Sequence, residues 1–401
     1  MSCHNLNRRA PYAPLGFVLA LPSLFAGGQA GADNWELAPR VSAGYRYSDN
    51  YRLDLPGNEI QVSGGEGVAA VTLRNINPRT KIELTPRIDA TYFPNERDQE
   101  STDYYLDGVL EDKTPRHTIG ISAGFASEDV VRSELPSAVP GGDLGNPQSV
   151  DSGRTLQRNR RDLVRVTPYF SYDMTQRYRL ELDARYLDAN FEKHFPGSQE
   201  DFSDYGASAG ISYLFSPGTS LTFRALAARY TTTFDTDSYG AEVEWGKDFS
   251  ELSRMYIRVG GQETKPENGE RNDNVTGGIG GRWMSQRNVL FIDLTRQITP
   301  ISAGTVVARH QLRVRIDHDI SQRIGLLFSG RASRDEEIKG LGTYPTRKYA
   351  AVEAGVEWRI QRYLALSATY NYRWQEFADE PSDASANGVL IGIEYEPKRR
   401  D

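Results

Sequence analysis

Hydrophobic and polar residues alternate strictly along many segments of the chain. The clearest such segment puts Tyr178, Leu180, Leu182, Ala184 and Tyr186 on one phase and charged residues on the other. Successive side chains of a strand point to opposite faces, so this period of two predicts a β-strand with one apolar and one charged face. The tyrosine at each end of the apolar face is typical of the aromatic girdles of membrane-spanning strands.

A short polar turn precedes this strand and recurs along the chain. It reads Met-Thr-Gln-Arg at residues 174–177, and close versions occupy residues 284–287 and 320–323. Each turn is followed by alternating residues, at intervals of roughly 35 to 40 positions, which predicts a series of β-hairpins. Counting the alternating segments predicts about 18 strands, within a range of about 16 to 20, and an even number returns both termini to one side.

The connections between the predicted strands alternate in length. Short turns on one side oppose longer connections rich in Gly, Pro, Asp and Asn, which is the asymmetry of outer-membrane barrels. The longest is the outer loop 130–157, for which two interpretations stay open: a constriction folded into the barrel, or a mobile surface loop. Pro86 and Pro168 conflict with a sheet that has no free edge, because proline cannot donate to a ladder.

The overall fold follows from the backbone chemistry of strands in lipid. Every backbone donor and acceptor there needs a partner within the protein, so strands can span a membrane only as a closed sheet. We therefore predict an all-β fold, a closed antiparallel transmembrane β-barrel. The alternative, a soluble β-sandwich, leaves the aromatic ends of so many apolar faces unexplained.

The polar strand phase supplies the candidate functional residues. About 18 strands enclose more space than side chains alone can fill, so the interior is predicted to hold water or an inserted segment. Inward glycines such as Gly120, Gly206 and Gly280 are expected to widen the bore. The pore-lining candidates are Arg87, Asp89, Arg165, Arg179, Glu181, Asp183, Arg185, Arg313, Arg315, Arg331 and Arg373.

Two roles are open for these charged residues. Guanidinium groups bind carboxylates and phosphates in a fork geometry, which favours attraction of anionic or sugar-like solutes. Alternatively, opposite charges on adjacent strands pair with each other and only support the wall. Clusters such as Arg313 with Arg315 favour the solute-binding role more than isolated residues do.

Composition and targeting narrow the class of protein. The 401 residues are 38% hydrophobic with a net charge of −7, which gives no indication of a nucleic-acid partner. Arg8 and Arg9, the apolar segment 15–26 and a small-residue pattern predict a signal peptide over residues 1–32, cleaved after Ala32, and a single barrel domain over residues 33–401. The only cysteine, Cys3, would leave with the signal, so no disulfide is expected.

The sequence contains no evident catalytic constellation. Beyond the signal segment its histidines are His117, His194, His310 and His318, and none stands beside an evident serine and carboxylate on one inward layer. Neither a metal-type Cys/His cluster nor a phosphate-binding glycine loop is present. We predict no enzymatic activity, no cofactor and no metal.

The start of the predicted barrel resembles a known group of proteins. Residues 35–41 (Trp-Glu-Leu-Ala-Pro-Arg-Val), residues 47–53 (Tyr-Ser-Asp-Asn-Tyr-Arg-Leu) and the strand opening at 166–170 are similar to outer-membrane β-barrel porins found beside exopolysaccharide and exosortase (PEP-CTERM) loci. The resemblance implies an outer-membrane barrel with a role in polysaccharide export. It brings no catalytic residues.

These features lead to two functional hypotheses. The first is a passive hydrophilic channel in the outer membrane of a Gram-negative cell, serving small hydrophilic solutes or export of an exopolysaccharide. The second is a non-conducting anchoring barrel that docks secreted polymer or a periplasmic partner. The expected partners are outer-membrane lipid, polysaccharide or small solutes, and periplasmic export components.

Overall fold

The computed structural model describes residues 35–131, 158–195, 199–267, 269–338 and 344–397. The predicted signal segment and most of loop 130–157 lie outside the described residues. The first nine strands are β1 (Trp35–Ser48), β2 (Val62–Ile76), β3 (Thr80–Tyr92), β4 (Ser101–Lys113), β5 (His117–Asp129), β6 (Arg160–Asp173), β7 (Tyr178–Phe191), β8 (Phe202–Ser216) and β9 (Thr219–Thr231).

The second half of the chain continues the same hairpin pattern. Its strands are β10 (Thr236–Ser250), β11 (Ser253–Pro266), β12 (Asn272–Met284), β13 (Asn288–Ile301), β14 (Thr305–Asp319), β15 (Ile324–Glu337), β16 (Arg347–Gln361), β17 (Leu364–Phe377) and β18 (Ala384–Tyr395). A short 3-10 helix, Arg97–Gln99, precedes β4. Among the described residues, no helix is long and apolar enough to cross a membrane.

The sheet closes on itself. Each strand pairs antiparallel with its neighbours in sequence, and β1 pairs with both β2 and β18, where Val41 lies opposite Tyr395. The predicted closed antiparallel barrel of about 18 strands is confirmed, with 18 strands in one sheet among the described residues. We call the end with the short connections the turn end and the opposite end the loop end.

The two prolines that conflicted with a closed sheet lie at interruptions of the ladder. Pro86 pairs with Leu106 of β4, but the β2–β3 register skips from Ala70 to Leu73 beside it. Pro168 likewise faces a gap in the β6–β7 register. Each proline is therefore accommodated where one neighbouring strand does not require its missing N–H.

A shared hydrogen-bond pattern shapes the short turns. Near the start of the turn, the side-chain oxygen of an Asn, Thr or Ser accepts the backbone N–H of the residue two positions later, as in Asx and ST turns. These oxygen–nitrogen distances are 3.0 Å from Asn77 to Arg79, 3.4 Å from Thr114 to Arg116, 3.2 Å from Thr175 to Arg177, 3.2 Å from Ser250 to Leu252 and 3.2 Å from Ser321 to Arg323. The recurring Thr/Ser/Asn-x-Arg pattern is therefore partly a requirement of the turn.

The outer surface of the barrel is apolar. Large hydrophobic side chains on the outward phase are exposed in nearly every strand, for example Val259 at 63% and Leu182 at 39%. Aromatic rings gather at the turn end, where Tyr178 packs on Tyr213 at 5.2 Å between centroids and Tyr363 packs on Tyr395 at 5.7 Å. A continuous apolar surface of this kind marks contact with a partner or a membrane.

Candidate functional site

The barrel interior is the candidate site. All eleven predicted pore-lining residues lie on the strand phase opposite the exposed apolar side chains; in β7, for example, Asp183 alternates with the outward Leu182. The sequence alternation thus assigns the inward face, and the contacts of each residue decide what it can do there.

Glu181 of β7 belongs to a network of polar and charged residues that crosses five strands. Arg224 of β9 donates to Glu242 at 2.6 Å and to Glu181 at 3.2 Å, and Arg258 of β11 lies 3.6 Å from Glu242. Ser212 donates to Glu181 at 2.8 Å. Because acids and bases alternate, the network presents polar atoms of both signs rather than an uncompensated cationic surface.

This network borders a pocket of about 380 Å³ between β7 and β11. We call it the β7–β11 pocket. Its polar lining includes Arg179, Glu181, Ser212, Thr222, Arg224 and Arg254. Guanidinium, carboxylate and hydroxyl groups together suit hydroxylated or weakly charged solutes.

The other predicted arginines are also held by neighbours. Arg179 donates to Asp173 at 2.6 Å and Arg185 to Asp204 at 2.8 Å, while Arg87 lies 3.2 Å from Asp89; Arg313 donates to Asp293 at 2.8 Å and Arg315 to Asp317 at 2.8 Å. Arg331 lies over the ring of Tyr349 at 4.7 Å from its centroid. Arg313 and Arg315 therefore bind separate acids and do not form one cationic cluster.

Two of the predicted residues have other surroundings. Arg165 lies beside Gly124 and Asp107 in the wall formed by β4, β5 and β6. Asp183 accepts a hydrogen bond from Ser208 at 2.6 Å. Both remain among inward polar groups on the side of the barrel that contains β4 to β8.

Solvent exposure differs among the inward charges. The inward Asp107 and Asp183 are exposed, whereas Asp293, Glu353 and Arg373 are buried. Buried inward charges also occur on β4 to β8, namely Asp103, Arg161 and Asp204, so the exposed positions on that side are local. The exposed Asp107 and Asp183 and the β7–β11 pocket all lie on the β4–β11 wall.

The inward glycines do not widen the bore as expected. The ring of Tyr169 lies over Gly120, the side chain of Arg185 over Gly206, and the ring of Tyr256 over Gly280, each too close for a Cβ atom. Each glycine makes room for a long side chain of a neighbouring strand. The prediction of local widening at these three glycines was wrong, because the space they leave is already occupied.

This packing predicts that Gly120→Val destabilises the barrel. The added side chain would displace Tyr169, whose hydroxyl donates to Glu111 at 2.6 Å, and overpacking of this kind costs about 1–3 kcal/mol. The free energy of unfolding by urea in lipid vesicles measures the effect. Gly65→Val is the matched control, since nothing lies within 4 Å of its Cβ position; equal losses in both variants would contradict the packing role.

The hairpin tip formed by β13 and β14 reaches across the loop end, a feature the alternation did not predict. Ser302 at the tip accepts the N–H of Glu200 from the β7–β8 connection at 2.7 Å, and Ile298 accepts the Tyr230 hydroxyl at 3.4 Å. One face of the tip packs in a buried cluster with Tyr230, and the opposite face packs with Phe377 of β17. The tip therefore contacts both sides of the barrel and narrows its mouth.

The β1–β2 connection also folds inward. Arg373 donates to the carbonyls of Asn50 at 3.1 Å and Tyr51 at 2.9 Å. Leu53 is buried against Tyr349 of β16, with a left-handed φ of 62°. A left-handed φ is costly for leucine, so burial and the bonds around it must hold this loop in place.

We expect Asp54 to make this inward loop sensitive to pH. Burial raises the pKa of Asp54 to about 6, although Arg52 nearby acts in the opposite direction. Since the folded pKa is raised, the associated stability is complete below about pH 4 and is lost as pH rises through 6. We expect amide protection factors in the loop to fall about tenfold from pH 4 to pH 7.5 and to stay level in Asp54→Asn. A pH-dependent fall of the same size in the variant would exclude Asp54 as the cause.

The start of the long loop also turns inward. Val130 packs in a buried cluster with Leu163 and Phe202, and Val131 packs with Tyr51 and Phe93. Residues 132–157 lie outside the described residues, so the choice between a constriction and a surface loop stays a prediction.

The described residues contain no group of three or more His, Cys, Asp or Glu side chains arranged to hold a metal ion. His310 and His318 lie on the outward phase; His318 contacts Asn288 at 2.6 Å, and His310 lies 3.5 Å from Glu336. The fold thus places these two histidines away from the interior site.

Comparison with known proteins gives a likeness in outline only. No family model and no curated relative matches the chain. Among solved structures, OccK2 (OpdF) of Pseudomonas aeruginosa is 10% identical, with 90% of this chain and 98% of that chain covered and a TM-score of 0.45. The outer membrane channel DcaP of Acinetobacter baumannii is 12% identical, with 92% and 99% covered and a TM-score of 0.43. OpdQ of P. aeruginosa is 9% identical, with 90% of this chain and 98% of that chain covered and a TM-score of 0.45.

Proposed function

We propose that this protein is an outer-membrane barrel that forms a passive channel for small hydrophilic solutes. The observation that carries the proposal is the combination of a closed sheet, an apolar exterior and inward charges that are exposed to solvent, such as Asp107 and Asp183. A closed sheet satisfies its own backbone in lipid, and its inward polar face supports a hydrated path.

The inward-folded hairpin tip and β1–β2 connection support a narrow channel rather than a wide one. Both occupy the loop end, whereas the β7–β11 pocket lies on the wall that contains the exposed Asp107 and Asp183. Paired charges of both signs line this wall, so we propose weak charge selectivity and a preference for hydroxylated solutes.

Export of an exopolysaccharide is a finer proposal, supported by the sequence resemblance alone. A polymer chain would require the hairpin tip to leave the mouth, because the tip contacts β9 on one side and β17 on the other. Unchanged polymer secretion after deletion of the gene would contradict this finer proposal while leaving the channel proposal intact.

Planar-bilayer recording tests the channel directly. The chain without residues 1–32 should give discrete, ohmic conductance steps with little preference for anions or cations. Folded protein that inserts into the bilayer and gives no steps would overturn the channel.

One observation favours a second candidate, the non-conducting anchoring barrel. Five buried apolar clusters occur among the described residues, and each includes groups at the loop end that the inward segments cover. A barrel whose mouth is sealed by these clusters would insert without conducting, which the same recording distinguishes.

A further inference from the structure

The hydrogen bonds of the short turns use the backbone of their arginines and not the arginine side chains. The carbonyl of Arg116 accepts the N–H of Asp173 at 2.7 Å, and that of Arg287 accepts the N–H of Asp319 at 2.8 Å. Gly218 accepts the corresponding bond at 2.7 Å, so the backbone link does not depend on the side chain. The early Ser, Thr or Asn is explained by the turn, and the arginine side chain is not.

Four of these residues, Arg116, Arg177, Arg287 and Arg323, are exposed at the turn end, and we call them the turn arginines. Within the part of the chain that the structure describes, Arg116, Arg287 and Arg323 form no ion pair, and Arg177 reaches only the hydroxyl of Tyr213, at 3.5 Å.

The two acids whose backbone N–H groups bond to these turns are already paired with inward arginines. Asp173 accepts from Arg179 at 2.6 Å, and Asp319 accepts from Arg359 at 2.7 Å. The positive charge of the turn arginines is therefore not compensated by these acids. An anion from outside the chain would neutralise this positive charge.

The position of the turn arginines relative to the aromatic rings indicates which anion. Arg177 directly precedes Tyr178, which packs on Tyr213 on the apolar outer face. Interfacial aromatic rings lie at the level of lipid headgroups, so a guanidinium beside them lies at the level of the phosphates. Arginine binds phosphate oxygens through paired N–H donors.

We propose that the turn arginines bind the phosphate groups of anionic phospholipids in the leaflet that surrounds the turn end. The proposal rests on the membrane-spanning part of the proposed function and is independent of conduction. Binding is uneven around the barrel, because the turns at Gly218 and Leu252 lack the arginine and lie beside the exposed Phe215 and Phe249.

Native mass spectrometry of the barrel released from nanodiscs tests this, with equal parts of phosphatidylglycerol and phosphatidylethanolamine. The variant Arg116→Gln/Arg287→Gln/Arg323→Gln should lose the preference for phosphatidylglycerol about tenfold, since each basic residue near an anionic surface contributes appreciably to lipid attraction. The matched control makes the same charge change at exposed arginines of the loop end. It is Arg97→Gln/Arg271→Gln/Arg334→Gln.

Each outcome has a defined meaning once both variants are shown to be folded by heat-modifiable gel mobility. Loss in the turn variant alone supports the proposal, even if the protein gives no conductance. Equal loss in both variants, or no loss in either, overturns it. Unchanged lipid preference together with lost binding of soluble anionic cell-wall fragments would assign the turn arginines to a polymer instead. Failure of the wild-type chain to insert into lipid would overturn this proposal and the membrane barrel together.

Discussion

Shortening the β13–β14 hairpin should raise the single-channel conductance roughly two- to fivefold, because an 18-stranded wall encloses more space than its own side chains fill. The change replaces residues 300–306 with Asn-Gly. Thr299 already lies opposite Val307, so a two-residue type I′ turn closes the hairpin in register. The tip that contacts Tyr230 and Phe377 is then removed, and the mouth opens.

The control is an equally long deletion in the β11–β12 connection, whose described residues are not members of these clusters. Replacing residues 265–271 with Asn-Gly joins Thr264 to Asn272, which are also opposite each other. This variant should conduct like the parent. An unchanged conductance after shortening the β13–β14 hairpin would show that its tip does not restrict the path.

Breaking the ion pair beneath the hairpin tip should destabilise the barrel strongly. Arg309 of β14 donates to both oxygens of Asp335 at 2.6 and 2.7 Å, and the two side chains are only 7% and 1% exposed. Arg309→Met leaves a buried carboxylate without this partner, which costs about 3–5 kcal/mol. The measurement is the free energy of unfolding by urea in lipid vesicles.

Two further variants distinguish the effect of breaking a buried ion pair from the effect of removing any arginine. Arg309→Met/Asp335→Leu should recover most of the stability, because the uncompensated charge is gone. Arg254→Met removes an arginine that is 58% exposed and 3.5 Å from Glu244, and it should cost less than about 1 kcal/mol. Similar losses in Arg309→Met and Arg254→Met would contradict the role of burial.

The fold could be predicted from the sequence because each strand repeats one simple constraint. A residue such as Leu182 faces outward and its neighbour Asp183 inward, and a one-residue shift would reverse every side chain. The turn hydrogen bonds accepted by Thr175 and Ser321 mark the positions after which a new strand begins. Alternation and turns together predict strand order and a strand number of about 18, and closure is predicted from the backbone requirement in lipid.

The candidate site could be predicted only in part. Alternation assigns Arg313 and Arg315 to the inward phase, but it carries no information about which acid each will meet across the sheet. It also cannot show that Tyr169 fills the space left by Gly120. Both depend on the register between strands, which local sequence does not contain.

The sequence of the inward hairpin tip departs from the alternation of apolar and polar residues. Ile298, Ile301, Val306 and Val307 are apolar on both strand phases, which indicates burial on both faces rather than one face in lipid and one in water. The contacts of Ile298 with Tyr230 and of Ile301 with Phe377 explain this departure.

The most direct test of a water-filled interior compares two adjacent residues of β7. The only cysteine is Cys3, in the segment predicted to be removed, so Leu182→Cys and Asp183→Cys each provide a single thiol. A charged, membrane-impermeant thiol reagent applied to the barrel in lipid vesicles should modify the cysteine at position 183 and leave the one at position 182 unmodified. No reaction at position 183, or faster reaction at position 182, would contradict a water-filled, inward-facing polar surface.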